Sequence, residues 1–206
     1  EAERLHREAL RIRRAAFGDP HARIAMRLDS LGRIKHEEGD TEAAEAFFLE
    51  ALAMRRTLFG DKHPEVSSSL NNLASLRYQK GDLRGAEAMF RELVVVDRKL
   101  LGPEHPDYGQ VLNNLGFVLA QQERFLEAAT VYRDALAVLE GALGPEHWLL
   151  ALTQGNYGEC LLRLDRAEEA NPMLRTAHAT MLKSLGPDHK RTKKLGALIE
   201  TMKSSE

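Results

Sequence analysis

The sequence is poor in several features that mark particular classes of protein. It contains one cysteine, Cys160, which excludes an intrachain disulfide framework and fits a reducing compartment. No apolar run approaches the roughly 20 residues of a membrane-spanning helix. The first residues, EAERLHREAL, are charged and predict no signal peptide. The net charge of −2 gives no electrostatic reason to expect nucleic acid or an anionic membrane as a partner. We therefore expect a cytoplasmic protein that binds neither.

Signatures of catalysis are equally scarce. No Gly-rich phosphate loop, Ser-His-Asp pattern or pair of carboxylates with catalytic spacing stands out. The one dense stretch is LGPEHPD at residues 101–107, which combines a glycine, two prolines, two acids and a histidine. This stretch is one copy of a motif, and each copy starts 42 residues after the previous one: FGDPH at 17–21, FGDKHP at 59–64, LGPEHP at 101–106, LGPEH at 143–147 and LGPDH at 185–189. Similarity at a fixed spacing of this size indicates a repeat architecture.

Each repeat carries small and large apolar residues at fixed positions. Aligned as 18–59, 60–101, 102–143 and 144–185, the units keep glycine or alanine at the fifteenth position and alanine at the twenty-seventh. The thirty-first position is large and apolar: Phe48, Phe90, Tyr132 and Leu174. Small residues let two helices approach closely, and the large ones fill the neighbouring gap.

Two helices are predicted in each repeat. Helix A covers, for example, Pro64–Lys80, with apolar residues three and four positions apart, and helix B covers Leu83–Leu100. A short turn joins them, with Gly81-Asp82 in the second unit and Glu123-Arg124 in the third. No useful strand-like alternation is present, so we predict an all-α fold.

The spacing Leu-Gly/Ala … Ala … Phe/Tyr … Ala resembles the tetratricopeptide repeat. The 42-residue unit, LNNLA at 70–74, LNNLG at 112–116 and the LGPEHP connector are similar to the longer repeat of kinesin light chains and their bacterial relatives. This resemblance covers the whole chain. It implies a right-handed superhelical solenoid of antiparallel helix pairs, and a surface that recognises short peptides.

We assign residues 1–206 to one repeat domain. Residues 1–17 align with helix B of a truncated repeat, whose uncovered apolar face offers a surface for self-association. The four full repeats follow, and residues 186–206 are expected to form a C-terminal capping helix, since solenoids need a polar outer face at their ends.

The recurring histidines and the cysteine are interpreted as structural residues. Equivalent atoms in stacked helix pairs lie about 10 Å apart or more, whereas zinc ligands lie about 2.0–2.1 Å from one ion. The histidines at one position of five units therefore cannot share a metal, and we expect each to bond across its connector: His21, His63, His105, His147 and His189. Cys160 occupies a slot held elsewhere by Ile34, Leu76 and Val118, which favours a buried, inert thiol. We expect no catalytic residue, metal or cofactor.

The inner face of the A helices is the remaining candidate for a functional site. The predicted peptide-binding residues are Arg33, Asn71, Asn72, Ser75, Tyr78, Gln79, Asn113, Asn114, Phe117, Gln121 and Asn156. A side-chain amide both donates and accepts, so an asparagine ladder suits the backbone of an extended peptide. Two roles stay open for Asn72, Asn114 and Asn156, because such amides also hold neighbouring helices together.

We interpret the chain as a non-catalytic scaffold that binds a peptide or a partner helix. Two alternatives remain. One is that the array recruits partners for, or regulates, a larger signalling enzyme such as a bacterial Ser/Thr kinase, as the resemblance allows. The other is that it is a self-association module.

Overall fold

The computed structural model describes residues 21–203, which form nine α-helices and no strand. The helices are α1 (Ala22–Glu37), α2 (Thr41–Phe59), α3 (Pro64–Gln79), α4 (Leu83–Leu100), α5 (Pro106–Gln121), α6 (Phe125–Ala142), α7 (Trp148–Leu162), α8 (Ala167–Leu185) and α9 (Lys190–Lys203). The all-α class predicted from the sequence is therefore confirmed.

The helices follow the period of the sequence. The A helices start at residues 22, 64, 106 and 148, and α9 starts at 190, so that successive starts lie 42 residues apart. The B helices start at 41, 83, 125 and 167, with the same spacing. Short turns join α1 to α2, α3 to α4, α5 to α6 and α7 to α8, and the two helices of each pair pack together. A short turn between packed helices makes them antiparallel.

The chain divides into two compact units, Glu1–Leu100 (unit 1) and Leu101–Glu206 (unit 2). Among the described residues, unit 1 contains α1–α4 and unit 2 contains α5–α9. The single domain over residues 1–206, its repeat boundaries and its capping segment stay predictions. Residues 1–17, where we predicted the uncovered helix, lie outside the described residues.

Close contact between the helices of a pair depends on the small residue of helix A. A Cβ added at Gly32 would lie 2.6 Å from Phe48, and one added at Gly116 would lie 2.8 Å from Tyr132. The ring of Tyr132 is 1% exposed, and the alanine at the twenty-seventh position of each repeat is fully buried. The small and large positions thus pack as the sequence pattern predicted.

The recurring histidines cap the helices that follow them. In each, Nδ1 accepts a hydrogen bond from the backbone N–H two residues later, as between His63 and Glu65 at 3.2 Å. The other four acceptors are His21, His105, His147 and His189. This bond satisfies one of the free N–H groups of a helix N-terminus. Each histidine thus bonds within the first turn of the helix that follows it. The ring of His63 also stacks on Phe59 across the connector, with ring centroids 4.2 Å apart.

The turns inside the repeats differ between the two units. Unit 1 places Gly39 and Gly81 at φ angles of 82° and 79°, where glycine is unstrained. Unit 2 places Glu123 and Asp165 in the same left-handed region, at 60° and 57°. A side chain there is sterically disfavoured, so these turns are less favourable than their counterparts in unit 1.

Candidate functional site

Six of the predicted peptide-binding residues lie in unit 1, on α1 and α3. Three are exposed, namely Arg33, Asn71 and Gln79, and three are half-buried, namely Asn72, Ser75 and Tyr78. Partly exposed polar side chains on two A helices are available to an extended ligand. Their role in binding stays a prediction.

A buried arginine joins α1, α2 and α3 in unit 1. Arg55 is 4% exposed, and its Nη1 lies 2.5 Å from Asp29 Oδ2 and from Ser69 Oγ. Its Nη2 lies 2.9 Å from Glu65 Oε2. Burial raises the pKa of Asp29 above its ordinary range and outweighs the opposite effect of Arg55. Asp29 thus pairs with a buried charge.

A second ionic cluster connects α2 with α3. Glu45 accepts from Arg77 Nε at 3.0 Å and from Lys80 Nζ at 2.7 Å. The hydrogen bond from Lys80 lowers the pKa of Glu45 below its usual value. Arg56 also pairs with Glu92 on α4. The helices of unit 1 are thus joined by several charged groups.

The asparagines of unit 2 contact each other. Asn156 on α7 donates from Nδ2 to Asn113 Oδ1 on α5 at 3.0 Å, and Asn113 is only 3% exposed. Asn113 in turn donates to Asn114 Oδ1 at 3.4 Å. These bonds support a helix-joining role for Asn113 and Asn156, while Asn114 and Asn156 stay half-buried.

The first cavity of unit 2 has a volume of about 450 Å³ and lies beside α5 and α7. Its apolar lining includes Phe117, Phe125, Leu162 and Leu198. Two polar groups, Tyr132 and Cys160, line its deep end, being 1% and 2% exposed. Gln121, another predicted residue, also lines it and is exposed.

The thiol of Cys160, which lines the first cavity, is not activated for reaction. Cys160 Sγ donates to the backbone oxygen of Phe125 at 3.2 Å. Burial raises the pKa of this thiol to about 11, so it is protonated at neutral pH and is a weak nucleophile. Burial also raises the pKa of Tyr132. Above Phe125, the guanidinium of Arg163 lies 4.8 Å from the ring centroid, a cation–π contact.

A second cavity, of about 370 Å³, adjoins the first and reaches α9. The two cavities share Phe117, Asn156, Glu159 and Lys194. Lys194 Nζ lies 2.5 Å from Glu159 Oε2, so an ion pair connects α9 with α7 where the cavities meet. The structure therefore brings Phe117, Gln121 and Asn156 to open cavities.

Lys194 is a site residue that the sequence reasoning missed. It was assigned to a capping helix and therefore not counted among the inner-face residues. Its place in the period gave a usable signal, because it lies 42 residues after Leu152 and so occupies an A-helix position. In the structure Leu152 and Lys194 line the same cavity.

The described residues contain no group of three or more His, Cys, Asp or Glu side chains that is placed to hold a metal ion. Within residues 21–203, none of the helices has the length and apolarity needed to cross a bilayer.

Solved structures with similar folds include two kinds of protein. The crystal structure of BtubC (BKLC) from P. vanneervenii has a TM-score of 0.77 and 23% sequence identity, and the match covers 90% of this chain and 74% of that one. A putative kinesin light chain from Podosopora anserina with nearly identical TPR-like repeats has a TM-score of 0.76 and 19% identity, covering 89% and 87%. A substitution variant of that protein has a TM-score of 0.77. At the level of the fold, these similarities confirm the predicted solenoid of the kinesin light chain type.

Sequence comparison gives the family. No curated protein matches the chain in sequence. The tetratricopeptide repeat model matches it in three overlapping stretches, residues 1–57, 39–94 and 65–141. The chain therefore belongs to the tetratricopeptide repeat family.

Proposed function

We propose that this chain is a non-catalytic scaffold that binds an extended peptide along the inner faces of its A helices. Tetratricopeptide repeats are generally protein–protein interaction scaffolds. The cytoplasm, inferred from the single cysteine, is the proposed location.

One observation carries the proposal. Predicted inner-face residues of two successive A helices, Phe117 and Asn156, line both cavities of unit 2, and Gln121 lines the first. Binding sites usually combine apolar wall with polar groups that orient the ligand, and the first cavity offers both, with Phe117 and Phe125 beside Asn156. An aromatic ring supplies an anchor surface, and the amides bond to a peptide backbone whatever its sequence.

The chemistry of unit 2 supports binding rather than catalysis. The nucleophilic side chain in the first cavity, Cys160, has its pKa raised to about 11 by burial, which is the opposite of the activation that a catalytic thiol needs. Tyr132 also has its pKa raised by burial. The shifts therefore leave both groups protonated and unreactive at neutral pH.

A library of random 12-residue peptides displayed on phage tests the proposal. We expect the chain to retain a subset of peptides, which are then synthesised and titrated by fluorescence anisotropy. Phe117→Ala should weaken binding at least tenfold, since truncating an aromatic anchor commonly has this effect. Leu126→Ala is the matched control, because Leu126 is 73% exposed and lies outside both cavity linings.

Alanine variants of two asparagines test whether their amides contact the ligand or join helices. Asn72→Ala and Asn114→Ala should weaken peptide binding without lowering the urea midpoint if the amides contact the ligand. If the midpoint falls while affinity holds, these residues join helices instead. Failure to retain any peptide, or equal affinities for Phe117→Ala and Leu126→Ala, would contradict the proposed function.

A further inference from the structure

The inner face of α9 carries three basic residues beside the second cavity of unit 2. Lys190, Arg191 and Lys194 all line this cavity, and Glu159 is the one acid among the described residues of its lining. Lys194 pairs with Glu159 at 2.5 Å. Within residues 21–203, neither the ammonium of Lys190 nor the guanidinium of Arg191 forms an ion pair. The described lining therefore carries an excess of two positive charges.

The repeat fold does not require basic residues at these slots. Two periods earlier, on α5, the slot of Arg191 holds Asp107 and that of Lys190 holds Pro106. A positive charge in the first turn of a helix opposes the helix dipole, whereas a negative charge such as that of Asp107 favours it. The first turn of α9 contains no acidic residue. Lys190 and Arg191 thus lie where they lower the stability of α9, and such departures from local preference are typical of functional sites.

Apolar side chains line the second cavity together with these cations. Four of them contribute to its wall, namely Phe117, Leu152, Met181 and Leu195. A Cβ added at Gly155 would lie 3.3 Å from Leu195, so the absence of a side chain at Gly155 leaves room beside Leu195. The equivalent residue one period earlier is Asn113. The occupant that suits this lining joins an apolar body to a negative group.

Resting on the proposed function, we propose that the second cavity of unit 2 binds a phosphorylated tyrosine side chain of the extended peptide. The aromatic ring packs against Phe117 and Leu152, and the phosphate binds to Lys190 and Arg191. A phosphate monoester carries nearly two negative charges at neutral pH, which matches the two cations that form no ion pair. Arginine suits phosphate because its planar guanidinium donates two parallel hydrogen bonds to it.

Other anionic side chains match the cavity less well. Aspartate and glutamate carry one negative charge, which leaves one of the two cations without a partner. Phosphoserine carries the doubly charged group but has no ring to cover the apolar wall. Asn156, one of the proposed peptide-binding residues, lines the same cavity. A phosphotyrosine bound there therefore lies beside the backbone of the peptide.

Small probes test the cavity without any peptide. Phenyl phosphate, benzoate and inorganic phosphate are titrated at constant ionic strength, and the backbone amide signals of α9 are followed by two-dimensional NMR. Phenyl phosphate should shift the signals of residues 190–195 and bind at least about fivefold more tightly than either of the other probes. No shift in α9 would overturn the proposal. Equal affinity for benzoate would also overturn it, because a single negative charge would then suffice.

Substitutions on α9 locate the binding site of phenyl phosphate. Arg191→Gln should weaken its binding by about tenfold and Lys190→Gln by about three- to fivefold, since each removes a charged hydrogen-bond donor. Lys193→Gln is the matched control, because it removes the same charge from the same helix, whereas Lys193 pairs with Asp188 and is not part of the cavity lining. Its affinity should equal that of the unaltered chain. An equal loss in Lys193→Gln and Arg191→Gln would indicate nonspecific attraction and overturn the proposal.

Peptides test whether the phosphate belongs to a tyrosine side chain. A library of random peptides with phosphotyrosine at the central position is compared with the same library carrying tyrosine there. The chain should retain more of the phosphorylated peptides, and each should bind at least about tenfold more tightly than its unphosphorylated form. Equal retention of the two libraries would overturn the proposal and leave the proposed function intact. If neither library yields a peptide, the proposed function fails and this proposal fails with it.

Discussion

The two units join equivalent pairs of helices with different kinds of side chain, charged in unit 1 and aliphatic in unit 2. In unit 1, α2 and α3 are joined by charges, with Arg55 bonded to Glu65 and with Glu45 bonded to Arg77 and Lys80. Two periods of 42 residues later, where α6 packs on α7 in unit 2, the equivalents of these five residues are Leu139, Leu149, Ala129, Leu161 and Leu164. Leu139 and Leu161 are fully buried. One backbone arrangement therefore accommodates either ion pairs or aliphatic side chains at the same slots.

The residues that let helices approach each other are shared by the two units, whereas the residues at the α2–α3 junction of unit 1 and the α6–α7 junction of unit 2 differ. The glycine or alanine of helix A and the buried alanine of helix B are present in both units, because helix approach depends on them. The junction residues vary, and they determine how each unit responds to mutation, salt and pH. Buried charges contribute little net stability compared with apolar packing, but they are costly to leave without a partner.

The largest effect is expected when a buried charge loses its partner. Arg55→Ala leaves Asp29 and Glu65 without their cation and should lower the free energy of unfolding by about 3–5 kcal/mol. Urea unfolding followed by circular dichroism measures it. Arg84→Ala, at an exposed position on α4, is the control and should change it by less than about 0.5 kcal/mol. A loss below about 1 kcal/mol for Arg55→Ala would show that the cluster is not buried as described.

A cavity in the apolar junction should be nearly as damaging. Leu161→Ala removes a fully buried side chain at the slot held by Arg77 in unit 1, and should cost about 2–5 kcal/mol. Leu126→Ala, at a 73% exposed position, should cost little. Hydrogen exchange locates the change, which should weaken protection in α6 and α7 first. Similar costs for both leucines would contradict an apolar junction there.

Exchanging the junctions tests the comparison directly. The variant Asp29→Asn, Arg55→Leu, Glu65→Leu and Ser69→Thr gives unit 1 the residues found two periods later in unit 2. Replacing a buried ionic cluster by apolar groups is commonly neutral, or stabilising by about 1–4 kcal/mol. We expect a urea midpoint at or above that of the unaltered chain. A loss as large as that of Arg55→Ala would show that the ionic cluster is essential to the junction.

The turns offer a smaller test. Glu123→Gly gives unit 2 the residue that unit 1 uses in the same left-handed region of φ, and should raise the free energy of unfolding by about 1 kcal/mol. Gly81→Glu, the reverse change in unit 1, should lower it by a similar amount. Thermal unfolding measures the change in stability of both variants. If both substitutions change the free energy of unfolding in the same direction, backbone strain is not the cause.

The smallest effect concerns the exposed part of the ionic junction. Lys80 lowers the pKa of Glu45 from its ordinary value of 4.5. Because the folded pKa lies below the unfolded one, the stabilisation is present above about pH 4.5 and is lost as pH falls through the folded pKa. Glu45→Gln should cost about 0.2–1 kcal/mol at neutral pH and flatten the acid side of the stability profile. An acid slope as steep as that of the unaltered chain would exclude Glu45 as its source.

The sequence predicts the fold well because the connector motif and the spacing of small and large residues recur in every repeat. The A helices begin at the positions that the connectors marked, and Gly32 and Gly116 contact Phe48 and Tyr132 as the small–large spacing required. Contacts between helices were harder to predict. Asp29 on α1 pairs with Arg55 on α2, which lies 26 positions later in the chain, and the repeat pattern does not encode this pairing.

Part of the candidate site was predicted from the periodicity of the helices. Phe117, Gln121 and Asn156 line the cavities because helix periodicity determines which face a residue shares. Cys160 was correctly predicted as buried from its apolar equivalents. The pairing of Glu159 with Lys194 depends on the relative position of two helices, since the two residues lie 35 positions apart, and no periodic pattern encodes the conformation of two long side chains.

The labelling rate of Cys160 with and without bound peptide tests the central claim most directly. A peptide recovered from the library is added at saturating concentration, and N-ethylmaleimide incorporation is followed by mass spectrometry. If the peptide places a side chain in the first cavity of unit 2, it should slow labelling at least tenfold, and Phe117→Ala should remove this protection at the same peptide concentration. Unchanged labelling while anisotropy shows the peptide fully bound would mean that the peptide binds elsewhere on the chain.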